Sequence, residues 1–382
     1  MEAVKWFRKA AEQNLAQAQY NLGVCYHAGQ GVAKDEVEAV KWYRKAAEQN
    51  DAEAQFNLGN CYANGDGVAK DEVEAVNWFH QAAEQNNAVA QYNLGVCYRD
   101  SQGVAKDEVE AVKWFRKAAD QNFAPAQNNL GVCYSNGRGV AKDEVEAVKW
   151  FRKAAEQNYA SAQFNLGNCY REGQGVTKDA MEEVKWCRKA AEQNLDQAQC
   201  NLGVCYAKGE GVAKDEVEAV KWYRKAAEQN SAPAQFGLGM CYANGQGVAQ
   251  DYVEALKWYR KAANQDNAWA QYNLGCCYDN GEGVAKDEVE EVKWYRKAAD
   301  QGLADAQCSL GVCYAKGEGV TKDYVEAYKW FDLASSQDVV EAKQNLVITE
   351  RRMTPEQIAK AQRLVREFKQ IRAAKSGASG SQ

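Results

Sequence analysis

Tryptophan falls at Trp6, Trp42, Trp78, Trp114, Trp150, Trp186, Trp222, Trp258, Trp294 and Trp330, and the interval is 36 residues every time. A fixed period of this size marks a repeat array, in which each short unit can bury its apolar face only against its neighbours. By length alone, 382 residues would suggest two or three ordinary domains; the period overrides that count. The phrase GVAKDEVEAVKWYRKAAEQN opens at Gly31 and returns nearly unchanged at Gly67, Gly103, Gly139 and Gly211.

The stretch 51–86, DAEAQFNLGNCYANGDGVAKDEVEAVNWFHQAAEQN, serves as the unit. Ala54, Leu58 and Cys61 lie at i, i+4, i+7 with Tyr62 beside them, which predicts an amphipathic helix A from about Ala52 to Asn64. Gly65 ends it, and GDG leads into a short loop. Asp71 and Glu74 form a D-x-x-E pair resembling a capping box, which predicts the start of helix B. Val73, Ala75, Val76, Phe79, Ala82 and Ala83 are read as its apolar face, with Trp78 covering the seam to the next unit.

The joint between units is Asn14, Asn50, Asn86, Asn122, Asn158, Asn194 and Asn230, then Asp266 and Gly302. These residue types tolerate positive φ, so the joint is predicted to be left-handed backbone after helix B. The fold class is therefore all-α: a right-handed solenoid of helix-turn-helix repeats with period 36. The expected organisation is a trailing helix B of an incomplete first repeat at 1–14, nine repeats over 15–338, capping helices over 339–374 and a disordered tail at 375–382. A chain that opens inside a helix B reads as trimmed or as a fragment. Thr354 is the expected N-cap of the last helix, with Pro355 at its first position.

LGNCY (Leu58, Gly59, Tyr62), followed by GDGV, KD and EAV-WF--AAE, resembles the Sel-one-like repeats, relatives of the tetratricopeptide repeats. The resemblance covers about residues 1–350 and recurs nine times. It implies close approach of the two helices at Gly59, whose counterparts are Gly23, Gly95, Gly131, Gly167, Gly203, Gly239, Gly275 and Gly311. Where Ser101 replaces the loop glycine, local strain is expected without a changed fold. It also implies an adaptor scaffold for protein complexes; several bacterial members act at the host interface. A cysteine-rich secreted branch carries disulfides at positions that here hold Ala47 and Gln55, which disfavours that branch.

Nine of the thirteen cysteines recur every 36 residues, from Cys25 to Cys313. Equivalent sulfurs one repeat apart lie beyond the reach of a bridge, which needs Cα atoms within about 7 Å. They read as small buried hydrophobes in a reducing compartment. The N-terminus has no apolar leader region, which together with the thiols gives a cytoplasmic expectation. A net charge of −6 argues against nucleic acid and anionic membranes as main partners. The chain is expected to be a monomer, with the incomplete first repeat as the edge through which two copies could pair.

Catalytic signals are absent from this reading. His27 stands two residues from Cys25 on one helix, so the two side chains diverge. No C-x-x-C occurs, and the GxGV loops follow a helix, lack a third glycine and have no GK[ST]. The expectation is no enzyme, no cofactor and no metal.

Two ladders point to a binding surface instead. By the tetratricopeptide resemblance, the A helices line the concave face. Asn57 recurs there as Asn21, Asn93, Asn129, Asn165, Asn201 and Asn273, broken by Gly237 and Ser309. Phe56 recurs as Tyr20, Tyr92, Phe164, Phe236 and Tyr272, broken by Asn128, Cys200 and Cys308. Amides can hold an extended peptide by its backbone, and aromatics add pockets for its side chains. The alternative is that the amides bond neighbouring A helices and the rings sit between repeats. The position of Ala63 varies to His27, Arg99, Ser135, Arg171 and Asp279, while helix B barely changes. The expected function is a protein-interaction scaffold binding a protein or extended peptide in its groove. A purely structural or designed array is the alternative, as is a bacterial host-interaction factor.

Overall fold

The computed structural model describes residues 2–379, which form 21 α-helices and no strand. They divide into two compact units, 1–193 and 194–382. The first holds α1 (Glu2–Glu12), α2 (Ala16–Ala28), α3 (Glu36–Glu48), α4 (Ala52–Asn64), α5 (Glu72–Glu84), α6 (Ala88–Asp100), α7 (Glu108–Asp120), α8 (Ala124–Asn136), α9 (Glu144–Glu156), α10 (Ala160–Glu172) and α11 (Ala180–Glu192). The second holds α12 (Asp196–Lys208), α13 (Glu216–Glu228), α14 (Ala232–Asn244), α15 (Tyr252–Ala263), α16 (Ala268–Asn280), α17 (Glu288–Asp300), α18 (Ala304–Lys316), α19 (Tyr324–Ser335), α20 (Val340–Glu350) and α21 (Pro355–Ser379). From α2 to α18 the even-numbered helices are type A, and each pairs with the type B helix that follows it.

Backbone chemistry fixes these limits. Asp71 sits in extended backbone and its carboxylate accepts from the Val73 and Glu74 amides, both at 3.0 Å. An anion there also meets the positive end of the helix dipole. The capping box is not closed from the other side, because the Asp71 N–H already donates to the Tyr62 carbonyl at 2.9 Å. Glu74 instead accepts from Trp78 Nε1 at 2.9 Å. Helix A stops at Gly65 (φ 82°) and the joint residue Asn86 takes φ 68°, as its counterparts do through Gly302. Ser101 adopts φ 60° at the glycine site and α6 still ends at Asp100, with the Ser101 hydroxyl donating to the Val104 carbonyl at 3.2 Å.

Packing explains two glycines per unit. A Cβ on Gly59 would lie 2.7 Å from the Phe79 ring, so helices A and B touch there. One on Gly67 would lie 2.1 Å from the Glu36 carbonyl oxygen, because the loop rests on the first turn of the preceding helix B. Leu58 and its eight counterparts are fully buried. Trp114 joins the core cluster of the repeat before it, as expected of a seam residue. Val73 departs from the expected buried face of helix B: in the first turn of the helix it is 60% exposed.

The joint itself is closed by a buried amide. Gln55 donates to the Ala47 carbonyl and to Asn50 Oδ1, both at 3.2 Å, and accepts from Gln85 of the next helix B end at 2.7 Å. Gln127 does the same with Ala119, Asn122 and Gln157, at 3.2, 3.1 and 2.6 Å. Gln occupies this position in all nine repeats, buried each time.

At the C-terminal end α21 lies on α19. Phe368 meets the Trp330 ring edge-on at 5.4 Å, Ala361 packs with Val325 and Tyr328, and Arg372 donates to the Gln301 carbonyl at 2.9 Å. Leu333 stands where most other B helices carry lysine, and it is buried. Thr354 and Gln357 close a reciprocal cap in front of α21 at 2.9 and 3.3 Å. The helix continues to Ser379, into the segment expected to be disordered, since Ala373, Ala374 and Lys375 favour helix and one glycine costs only about 1 kcal/mol. Residues 380–382 of that segment lie outside the described residues.

Gln127→Ala should take one donor from the buried Ala119 carbonyl and leave a cavity at the joint, costing roughly 2–5 kcal/mol in urea unfolding, against about 0.5–1.5 kcal/mol for Gln157→Ala at the exposed rim. Equal losses would remove the amide from its place at the joint. Deletion of residues 354–382 should uncover Trp330 and Leu333 and produce aggregation at concentrations where the full chain stays monodisperse, because solenoid ends need covers.

Candidate binding face of the A helices

The outward face of each A helix lies opposite the Leu58 stripe. All seven ladder asparagines and all six ladder aromatics are partly exposed there, as are Arg99 and Arg171. Each aromatic leans on the helix B ring of its own repeat where one exists. Tyr20 lies 6.1 Å from Tyr43, Phe56 6.1 Å from Phe79 and Tyr92 5.9 Å from Phe115. The pattern continues in the second unit with Phe236 6.0 Å from Tyr259 and Tyr272 5.6 Å from Tyr295. At Phe164 the helix B partner is Cys187 and there is no such ring.

The asparagines divide by whether a bonding group of another A helix reaches them. Asn57 bonds the Tyr20 hydroxyl and Asn129 bonds that of Tyr92. Asn165 donates to Asn128 Oδ1 at 2.9 Å, and Asn273 reaches Met240 Sδ at 3.4 Å. Asn201 also has a partner. Asn93 faces Phe56, which cannot bond, and among the described residues Asn21 and Asn93 have no side-chain partner. Part of the ladder therefore links neighbouring A helices, and part keeps its full bonding capacity outward.

Charge on this face is sparse and locally paired. Arg99 grips Asp100 with two bonds of 2.7 Å, and Arg171 meets Glu172 at 2.8 Å. The Arg99 guanidinium holds the Asp100 carboxyl below its ordinary range. His27 pairs with Glu36 at 2.7 Å, and His80 packs on Trp114 at 5.5 Å. Neither histidine faces a cysteine or serine nucleophile in these contacts. Among the described residues no group of three or more His, Cys, Asp or Glu could hold a metal, and no helix is long and apolar enough to cross a membrane. The sequence reading passed over three further residues of this face, Trp269, Met240 and Cys276, because they stand at positions whose residue type changes between repeats and so form no ladder.

No disulfide joins the thirteen cysteines, and all but Cys276 are buried. Burial pushes the Cys61 thiol up to about 12 and that of Cys97 up to about 11, far from thiolate chemistry.

The Sel1 repeat model matches residues 1–15, 16–51, 52–87, 88–123, 124–159, 160–195, 196–231, 232–267, 270–303 and 304–339. The chain belongs to the Sel1 repeat family. Two bacterial Sel1-type structures resemble it along most of their length. A protective antigen of uropathogenic Escherichia coli strains is 37% identical, with a TM-score of 0.61, over 95% of this chain and 86% of its own. A Sel1 repeat protein from Oxalobacter formigenes is 32% identical, with a TM-score of 0.61, over 80% of this chain and 88% of its own. No curated protein matches the chain significantly. Sel1 repeats generally mediate protein–protein interaction and form scaffolds without catalytic chemistry of their own.

Thiol titration should find thirteen reactive groups after denaturation without reductant and slow reaction in the native protein, with Cys276 first. A shortfall after denaturation would show bridged sulfurs and contradict the burial reading.

Proposed function

We propose that this Sel1 repeat protein is a non-catalytic adaptor that holds an extended segment of a partner protein along the outward face of its A helices. The observation that carries the proposal is where the repeats differ. The joint position is Gln and the core position Leu in all nine repeats, whereas the outward position near the end of helix A holds His27, Ala63, Arg99, Ser135, Arg171 or Asp279. Variation is concentrated on a surface that packing leaves partly open. Amides on that surface offer both donors and an acceptor to a peptide backbone, with Asn21 and Asn93 wholly unspent. The aromatic beside each amide supplies apolar area for alternate side chains of the bound segment. Thirteen cysteines without a disulfide support a reducing compartment as its place of work.

The test uses peptides selected from a random displayed library on the whole chain. Changing Asn93, Asn129 and Asn165 to Ala should leave helical content intact and weaken the selected peptides by more than about tenfold, since roughly 1.4 kcal/mol suffices for that factor. Two of the three also surrender a bond to a neighbouring A helix, so a modest fall in melting temperature accompanies the loss. A variant that melts far below the parent yet binds normally until it melts would make the ladder structural and end this assignment.

A further inference from the structure

Within the second unit the outward face changes character. On α14 and α16 the ladder aromatics Phe236 and Tyr272 are joined by Met240, Trp269 and Cys276, at positions that hold aliphatic, polar or small residues in the other repeats. Trp269 is 49% exposed and stands edge-on to Tyr272, ring centres 6.3 Å apart at 80°. The bed beneath is fixed from helix B: the Tyr259 hydroxyl donates to Met240 Sδ at 3.2 Å and the Tyr295 hydroxyl to Cys276 Sγ at 3.5 Å. Tyr272 is bonded in turn to Ser309 of the next A helix. A large exposed indole beside a positioned ring, with two polarisable sulfurs further along the same face, is the composition of an anchor site for one bulky apolar side chain.

The charged side chains that bear on the ring and thiol of the patch are acidic. Asp305 occupies on α18 the place that Trp269 holds on α16, in the first turn of its helix. Glu282 follows in the loop after α16, and Asp279 ends that helix, paired to Lys286 at 3.6 Å. Among the described residues neither Asp305 nor Glu282 has an ionic partner. The charged side chains that act on Tyr272 and Cys276 are these three carboxylates.

We infer that this patch is the specificity-determining anchor of the binding face, and that it takes a partner segment carrying one aromatic or large aliphatic residue flanked by lysine or arginine. The inference rests on the adaptor reading and sharpens it. Charge complementarity selects the occupant: an apolar side chain covers Trp269 and Tyr272 while cations on either side meet Asp305 and Glu282. The same carboxylates oppose an acidic segment, a nucleic acid or an anionic lipid surface. Indole and phenol faces also accept a flanking cation directly.

The experiment is the library selection on the whole chain, repeated on Trp269→Ala and on the double variant Asp305→Lys with Glu282→Lys. The parent should enrich sequences with one bulky apolar residue and Lys or Arg within three positions, bound less tightly as salt rises. Trp269→Ala should weaken synthetic copies of those sequences by about tenfold or more with unchanged circular dichroism and melting temperature. The double variant should turn the enrichment toward Asp and Glu. No enrichment on the parent, acidic or charge-blind flanks, or binding untouched by Trp269→Ala each overturns the inference. Peptides that lose affinity on the asparagine triple variant but not on Trp269→Ala would leave the adaptor standing and remove this anchor. The reverse pattern would keep the anchor and remove the asparagine ladder.

Discussion

The Gln55 side chain and its counterparts sit where one repeat becomes the next, and the stacking of repeats within each unit depends on the three hydrogen bonds such an amide makes. One goes back to the end of the preceding helix B, one to the left-handed joint residue, and one arrives from the end of the following helix B. A buried carbonyl at a helix end must be satisfied, and an unsatisfied one costs about 1–3 kcal/mol. The Ala47 carbonyl already accepts the Asn50 N–H at 2.9 Å, and the amide adds a second, side-chain bond there that ties this helix end to the next helix B. By resemblance, the cysteine-rich secreted relatives close this seam with a disulfide between the positions of Ala47 and Gln55. Here the seam is closed by amide hydrogen bonds, in a chain whose cysteines form no disulfide.

With the joint fixed from inside, the outward face of helix A is relieved of structural duty at most positions. In a linear array stability is the sum of repeat and nearest-neighbour terms, so each outward position can change without consequences far along the chain. The face has used that freedom unevenly. In the first unit it carries Arg99 and Arg171, each held by an adjacent carboxylate, and amides that partly bond to one another. In the second it carries a tryptophan, two ring–sulfur contacts and carboxylates without partners. A scaffold built from near-identical phrases thus presents chemically distinct stations.

Local rules carried the sequence reading far. Helix A was expected from Ala52 to Asn64 and ends there, because Gly65 and the Asp71 cap are determined by residues a few positions apart. The joint at Asn86 and the contact at Gly59 were legible for the same reason, each being a single backbone or Cβ constraint repeated nine times. The amide seam was not read, although Gln recurs as strictly as Leu58. A glutamine between alanines looks solvated until its partners, 8 residues before and 30 after, are brought to it by the turn. Glu74 misled in a similar way, since the N–H it was expected to cap is taken by a carbonyl from helix A. On the binding face, the ladder asparagines could be located by phase but their partners could not. Whether each is spent depends on which side chain of the preceding A helix reaches it, Tyr20 for Asn57 and Met240 for Asn273.

The central claim is that the joint, and not the outward face, holds the repeats together. It is tested most directly by giving α6 the face of α4 through Val89→Glu, Tyr92→Phe, Val96→Asn and Arg99→Ala, and measuring the urea unfolding free energy. These four changes forfeit one hydrogen bond to Asn129, one surface ion pair and some partly exposed apolar area, together about 1–2 kcal/mol. The account predicts a stability within that margin of the parent and an unchanged dependence on denaturant. A loss equal to or greater than that caused by removing one buried joint glutamine would contradict it.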